Sequence, residues 1–231
     1  MSRRVLFAGV LALIAASCGS DPAVDSTTTR APTTITVAIR GQATPIDAVA
    51  FWVDMLAIGS YEGADLVVEE DQVVLLIAVE SYSAEVFEQL SKDGADHAAF
   101  WSSFVGGFEA FTGAAITDVA VGAEHPFEFD GRSFAAVDLF SPRGDVEVIA
   151  TEESGRWYVD VLATFGPSFS SLFNLWIERL PPEATAPRLA LSQQSTSLAV
   201  ARDRLDSNLD AAAVAELTLL LDRLAGQEPA E

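Results

Sequence analysis

The chain has 231 residues, a formal net charge of −21 and a single cysteine. Half of its residues are hydrophobic, which supplies enough apolar surface for a folded core and excludes a chain that is disordered throughout. The acidic balance argues against nucleic-acid binding, which needs clustered arginine and lysine, and one cysteine excludes an internal disulfide.

The N-terminus is typical of a bacterial signal peptide. Two arginines precede an apolar run, residues 5–16, which at about 1.5 Å per residue is too short to span a ~30 Å bilayer core. Small residues then lead into Cys18. This arrangement resembles the lipobox of bacterial lipoproteins, in which the cysteine thiol receives a diacylglyceryl group before cleavage on its amino side, although Ala15 stands where many members carry leucine. The resemblance implies a signal peptide at 1–17 and a lipid anchor on Cys18 at the extracytoplasmic face of the cell membrane; the alternative is ordinary secretion with a free thiol.

Residues 18–34 form the next segment, which is rich in threonine, serine, proline and aspartate. Such a sequence buries too little apolar surface to offset its ordering entropy, so it predicts a flexible tether. Two acyl chains on one cysteine hold a protein stably on a membrane. We therefore expect a folded domain at 35–180, followed by a helical extension at 181–231.

The domain is predicted to begin with helices. Thr44 caps a helix that ends at Gly59, with proline at its first position, and residues 61–68 form a short second helix. The apolar run 73–79 fits a buried strand or a buried helix, and a cap at Asp71 favours the helix.

Two further helices are predicted before the strands. Ser83 caps residues 84–90, and Asp96 opens a longer helix with phenylalanines at steps of four, four and three on one face. Gly106 and Gly107 interrupt that helix at a cost of about 1 kcal/mol each. Close approach of a neighbouring element is the expected compensation, and space for a ligand is the alternative. The aromatic stripe consists of Phe100, Phe104, Phe108 and Phe111.

From residue 117 the hydrophobic period changes from helical to alternating, which predicts strands. Short turns, among them Asp130-Gly131 and a glycine at 155, predict an antiparallel meander. The four predicted strands cover residues 119–129, 133–140, 146–151 and 157–164.

Helices are predicted again at the C-terminus. Residues 167–180 form one helix, Pro181 and Pro182 end it, and residues 186–208 and 210–225 form a helical hairpin. Leucines at a spacing of seven form a seam on the first arm that is expected to pack on the second arm and on the body. The seam comprises Leu191, Leu198 and Leu205, and its expected partners are Val214, Leu217, Leu221 and Leu224.

The order of helices followed by a meander resembles the cone-shaped α+β folds of the nuclear transport factor two-like superfamily, which includes ketosteroid isomerases. The resemblance lies in residues 45–59 with Tyr61 and Glu62, and in the closing strand 155–160, and it covers about residues 45 to 165. Many actinobacterial lipoproteins of unknown function look similar in that closing strand. Helices at 71–92 and the C-terminal hairpin depart from the family pattern and would fill the mouth of the cone.

The resemblance implies a carboxylate base in an apolar cavity, since the family's isomerases use an aspartate of shifted pKa. The candidates are Asp54 and Asp160, with Asp138 as a third, although such carboxylates more often face solvent or form salt bridges. Four aromatic side chains are candidates to line the pocket, although aromatic stripes usually form core. They are Trp52, Phe104, Phe108 and Tyr158.

Asp93, Asp96 and His97 lie close together in the sequence and are residue types that bind metal ions. Aspartates at a helix start are ordinary caps, so no metal and no cofactor are expected.

These patterns favour a non-enzymatic, membrane-anchored envelope lipoprotein that acts as a binding or interaction module. Its partners would be the membrane, through Cys18, and a small apolar ligand or an envelope protein. The alternative is a small isomerase or dehydratase that uses Asp54 or Asp160, and a third interpretation makes the C-terminal hairpin a docking surface.

Overall fold

The computed structural model describes residues 40–81, 83–93, 97–112, 114–142 and 144–226, without the side chains of Asp93, Phe111 and Thr112. The expectations for the signal peptide, for Cys18 and for the tether fall outside these ranges, as does the one for Asp96.

In the described part of the chain, five α-helices precede the sheet, and the first begins as predicted. Thr44 Oγ1 accepts a hydrogen bond from the Asp47 N–H at 3.2 Å. The run 73–79 is helical, which confirms the favoured alternative. The second helix ends at Asp65 rather than at residue 68, because Val68 instead forms a β-bridge with Val159. The helices are α1 (Pro45–Ala57), α2 (Tyr61–Asp65), α3 (Glu70–Ser81), α4 (Ala84–Asp93) and α5 (His97–Thr112).

The sheet is a four-stranded antiparallel meander in the order β1-β2-β3-β4, as predicted. Two of its turns have two residues each, and both residues of each turn, Asp130-Gly131 and Ser154-Gly155, have positive φ. This geometry matches the twist of the flanking strands. The strands are β1 (Ala120–Phe129), β2 (Arg132–Ser141), β3 (Gly144–Glu153) and β4 (Arg156–Val159), preceded by a short 3-10 helix at Ile116–Asp118.

The last strand ends at Val159, so the prediction of a strand to residue 164 was wrong. Asp160 is the N-cap of α6 (Val161–Arg179), and its carboxylate accepts a hydrogen bond from the Ala163 N–H at 2.8 Å. Residues 161 and 162 are both buried, so the hydrophobic pattern did not distinguish a strand from a helix at this point. Pro167 consequently lies inside the helix rather than at its start.

Up to residue 226, where the description ends, three helices follow α6. A break at Gln194 and an end at Asp203 correct the predicted continuous helix 186–208. Ser192, Ser195 and Ser197 surround this break, and serine hydroxyls compete with helical hydrogen bonding. Helix α8 and helix α9 contact each other, and both pack on α6. The helices are α7 (Thr185–Gln193), α8 (Ser195–Asp203) and α9 (Ala211–Ala225).

Helices cover both faces of the sheet. One face contributes Val137, Leu139, Val148, Ala150 and Val159 to the main core, against apolar side chains of α1 and α6. The opposite face packs Phe134, Ala136 and Ile149 against Ala163 and Val200.

The glycine pair in α5 does not mark a close approach of another element. A Cβ atom built on Gly106 or Gly107 meets no atom within 4 Å. The expected compensation for these glycines was therefore wrong.

Within the described ranges, no helix has both the length and the apolar character needed to cross a bilayer.

Candidate functional site

A polar cleft of about 590 Å³ opens beside the start of α3. It lies where this helix meets the β3–β4 turn and the junction of α7 with α8. Its walls carry carboxylates, two guanidinium groups, a phenol and two amides, so they can both donate and accept hydrogen bonds. The lining residues are Arg40, Val68, Glu69, Glu70, Asp71, Arg132, Glu152, Glu153, Tyr158, Gln193 and Gln194.

Two carboxylates meet at the base of this cleft because of one β-bridge. Val68 pairs with Val159 in parallel, and the Val159 N–H donates to the Val67 carbonyl at 2.7 Å. The residues that follow this bridge on the two segments, Glu69 and Asp160, are therefore brought side by side. Asp160 is fully buried, whereas the side chain of Glu69 is 15% exposed on the cleft.

The amide of Gln72, itself fully buried, joins these two carboxylates. Its Nε2 lies 3.1 Å from Glu69 Oε2 and 3.0 Å from Asp160 Oδ1. The same nitrogen lies 3.0 Å from Gln194 Oε1, so the network also reaches the junction of α7 and α8. Ser197 completes the network, donating its hydroxyl to Asp160 Oδ2 at 2.6 Å. The base of the cleft is thus hydrogen-bonded to α3, α6 and α8.

Arg132 is the cation of this network. It follows the Asp130-Gly131 turn, and its Nη2 donates to Thr151 Oγ1 at 3.2 Å. The same nitrogen lies 3.6 Å from Glu69 Oε1, which is an ion pair when Glu69 is charged but is too long for a hydrogen bond. Within the described residues, Glu69 Oε1 is buried and has no hydrogen-bond partner.

Burial gives Glu69 unusual acid–base behaviour. Desolvation and the nearby charge of Asp160 raise the pKa of Glu69 to about 7, against the smaller opposing effects of Arg132 and Gln72. Desolvation also raises the pKa of Asp160, while the hydrogen bonds from Ser197, Ala163 and Gln72 act in the opposite direction. Near neutral pH, Glu69 can therefore bind or release a proton.

The three aspartates that the sequence offered as candidate bases lie in different surroundings. Asp160 is the buried cap of α6 and faces neither solvent nor an ion-pair partner in direct contact, so the expectation of solvent or a salt bridge was wrong for this residue. Asp54 is exposed on α1 and is not part of the cleft lining. Asp138 Oδ2 lies 3.2 Å from His125 Nε2, which is the salt-bridge arrangement when that histidine is protonated.

Three of the four predicted pocket aromatics come together away from the polar cleft. The Trp52 ring lies 5.6 Å from Phe104, and Phe104 lies 6.3 Å from Phe108. Trp101 and Phe165 pack against the same rings, and Trp52 is fully buried. Tyr158 instead lines the polar cleft.

The histidine considered for a metal site has a different contact. His97 Nδ1 lies 2.9 Å from Asp65 Oδ1, which also accepts a hydrogen bond from Trp101 Nε1 at 2.6 Å. Among the side chains that the structure describes, no group of three or more histidine, cysteine, aspartate and glutamate residues is arranged to hold a metal ion.

Sequence reasoning missed Glu69, Gln72 and Arg132. Glu69 and Gln72 stand in an acidic run at the start of α3 that has the pattern of an exposed helix start, and Arg132 follows an ordinary hairpin turn. The fully apolar run after Gln72 was the available signal, since a helix that is apolar on all sides is buried, and Gln72 leads directly into that run.

Comparison of the chain with known protein families, with curated proteins and with solved structures found no match in any of the three.

Proposed function

We propose that this chain is a bacterial lipoprotein on the extracytoplasmic face of the membrane, and that its folded part is a non-enzymatic binding module for a small polar ligand. The observation that carries the binding role is the cleft of about 590 Å³ with charged and amide walls. The placement rests on the N-terminal apolar run and on the position of Cys18 directly after it.

The chemistry of the cleft favours a hydrophilic ligand over the apolar one expected from the sequence. Its walls carry five carboxyl groups and two guanidinium groups, so an ionised cleft has an excess of negative charge. One guanidinium is already engaged, because Arg40 Nη1 lies 3.2 Å from Glu70 Oε2 and Arg40 Nη2 donates to the Val68 carbonyl at 3.0 Å. A polar ligand that carries a positive charge therefore suits this surface best.

The proposal includes a cone-like fold related to the nuclear transport factor two-like superfamily for residues 45–165. Its support is the order of elements, with helices before the meander, and the packing of α1 across one face of the sheet. In this arrangement, Trp52 packs with rings of α5 and α6 in the main apolar core, so these side chains fill space that an apolar ligand would need.

The proposal also keeps the C-terminal helical hairpin, with α7 and α8 as one arm and α9 as the other. The mutual contact of α8 and α9 supports it. Leu191 and Leu198 of the leucine seam are fully buried, and Leu205 is half-buried. A seam packed on its own body favours the small ligand over an envelope protein docked on these leucines.

The alternative is acid–base catalysis by a carboxylate. Asp160 is enclosed by its hydrogen-bond partners, and Asp54 is exposed on a helix surface, so neither is placed as a base in an apolar cavity. The specific observation in favour of catalysis is Glu69, which is partly open to the cleft with a pKa of about 7. A turnover that is lost in Glu69→Gln and kept in Glu70→Gln would establish this alternative.

Mass spectrometry tests the placement. The full chain would be expressed in a bacterial host and recovered from membranes, and we expect a diacylglyceryl mass on a chain that begins at Cys18. Cys18→Ser is the matched control and is expected to leave the membrane fraction. An unmodified sulfur in protein recovered from medium or cytosol would contradict the placement.

Nuclear magnetic resonance tests the binding role with three probes of different charge: spermidine, glucose and citrate. We expect spermidine to shift the signals of Tyr158 and Gln194, with smaller effects from the other two. Signals of the Trp52 indole, which lies away from the cleft, serve as the internal control. Cleft signals that do not move with any probe at millimolar concentration would overturn the proposal.

A further inference from the structure

The amide of Gln72 has more acceptors than it has hydrogens. Its Oε1 accepts a hydrogen bond from the Leu162 N–H at 3.2 Å, which fixes the orientation of the amide. The NH₂ group therefore faces Glu69, Asp160 and Gln194, whose oxygens all lie 3.0 to 3.1 Å away. Two hydrogens cannot supply three acceptors separately, so either two acceptors share one hydrogen or one acceptor receives none.

The two carboxylates differ in what else holds them. Asp160 Oδ2 accepts the Ser197 hydroxyl at 2.6 Å, and Asp160 Oδ1 accepts the Ala163 N–H at 2.8 Å. Among the described residues, the side chain of Glu69 is held by its share of the Gln72 amide and by the guanidinium of Arg132 at 3.6 Å. A proton that enters this pair is therefore better placed on Glu69 than on Asp160, whose charge is already stabilised by donors on both oxygens.

We infer that Glu69 is a proton-operated switch at the base of the cleft, which controls how the Gln72 amide hydrogens are divided between the start of α3, the cap of α6 and the junction of α7 with α8. When Glu69 is charged, it draws a Gln72 hydrogen and Arg132 toward itself. When Glu69 takes up a proton, that hydrogen is released to Asp160 and Gln194. Protonation of Glu69 changes the charge of the cleft by one unit, and this change would act on a bound ligand. In that one respect the inference rests on the proposed function.

The charged groups around Glu69 set the pH at which the switch works. Asp160 and Glu153 oppose its ionisation, Arg132 favours it, and burial is the largest influence. Together they raise the pKa of Glu69 to about 7. Both states are therefore populated near neutral pH.

Titration of the full chain by nuclear magnetic resonance between pH 5 and pH 9 tests the switch without any ligand. We expect the carboxyl carbon of Glu69 to titrate with a midpoint near 7 in place of the ordinary 4.5. The side-chain amide signals of Gln72 should move with the same midpoint. Glu69→Gln should remove this transition, and Glu70→Gln, which changes an exposed carboxylate of the same cleft, should retain it.

Two results would overturn the inference: a Glu69 midpoint below about 5, or a Gln72 transition that persists unchanged in Glu69→Gln. If that variant does not fold, the Glu69 midpoint in the wild-type chain decides alone. Spermidine binding is a separate measurement, so an empty cleft with an intact Glu69 titration would contradict the proposed function and leave the switch standing. Spermidine bound equally at pH 6 and pH 8 would contradict the effect of the switch on the ligand.

Discussion

Ser197 donates its hydroxyl to Asp160 Oδ2 at 2.6 Å, and both residues are fully buried. The bond joins α8 to the N-terminus of α6 at the point where the chain leaves the sheet. Asp160 therefore ties α8 to the start of α6 while it caps that helix.

Asp160→Ala is expected to destabilise the protein by about 3 kcal/mol, from the loss of a helix cap and the stranding of the buried Ser197 hydroxyl donor. Chemical denaturation would measure the free energy of unfolding. Asp54→Ala is the matched control, because it removes an exposed carboxylate and should change stability by no more than about 0.5 kcal/mol. Equal losses in the two variants would contradict the role given to Asp160.

Much of the fold was predictable because local chemistry and hydrophobic period agreed. The Thr44 cap with Pro45, and the Asp130-Gly131 turn, are read from short stretches of sequence and appear where expected. The boundary at Asp160 was not predictable in this way. The residues on both sides of Asp160 are buried, so the hydrophobic pattern did not show where the strand ends and the helix begins.

The candidate site was less predictable, since it depends on contacts between distant segments. The sequence offered Asp160 as a candidate base. Its structural role depends on Gln72 and Ser197, which lie 88 and 37 residues away along the chain. The burial of Glu69 follows from the β-bridge of Val68 with Val159. Residue composition and spacing do not predict a β-bridge between a loop and a strand.

Gly106→Ala is expected to stabilise the protein by about 1 kcal/mol, because glycine is unfavourable inside a helix and the added methyl meets no atom within 4 Å. Thermal unfolding of the variant would show the gain as a raised midpoint. A lowered midpoint would indicate that the glycine serves a purpose that the packing of α5 does not show.

Gly41→Ala is expected to destabilise the protein more than Gly131→Ala. Both glycines have φ near +70°, so an alanine at either position costs about 1 kcal/mol in backbone strain. At Gly41 the new Cβ would also lie 2.8 Å from the Tyr158 ring and 2.9 Å from Arg156 Cβ, whereas at Gly131 it meets nothing within 4 Å. Equal losses measured by denaturation would show that the segment at Gly41 shifts freely away from β4.

Glu69→Gln is expected to stabilise the protein at pH 8 with little effect at pH 5. The pKa of Glu69 is raised from 4.5 to about 7 on folding, so between these values the folded state binds more protons than the unfolded state. The free energy of unfolding therefore falls as the pH rises through this window, by about 3 kcal/mol for this residue. Glutamine keeps an oxygen for the Gln72 amide and has no charge to desolvate, so the variant lacks this loss.

Urea denaturation at pH 5, 6, 7 and 8 measures the difference in stability between Glu69→Gln and the wild type. Glu80, whose pKa is also raised by burial, contributes a slope of the same sign to both proteins and cancels in the comparison. Asp160 interacts directly with the charge of Glu69, so the coupling of these two carboxylates is part of the measured difference. The difference should grow between pH 5 and pH 7 and level off toward pH 8, while Glu70→Gln should run parallel to the wild type. A difference that stays constant from pH 5 to pH 8 would mean that Glu69 ionises at its ordinary pKa. The wild type loses stability over this range only if the carboxyl group keeps its proton to a higher pH in the folded state than in the unfolded state.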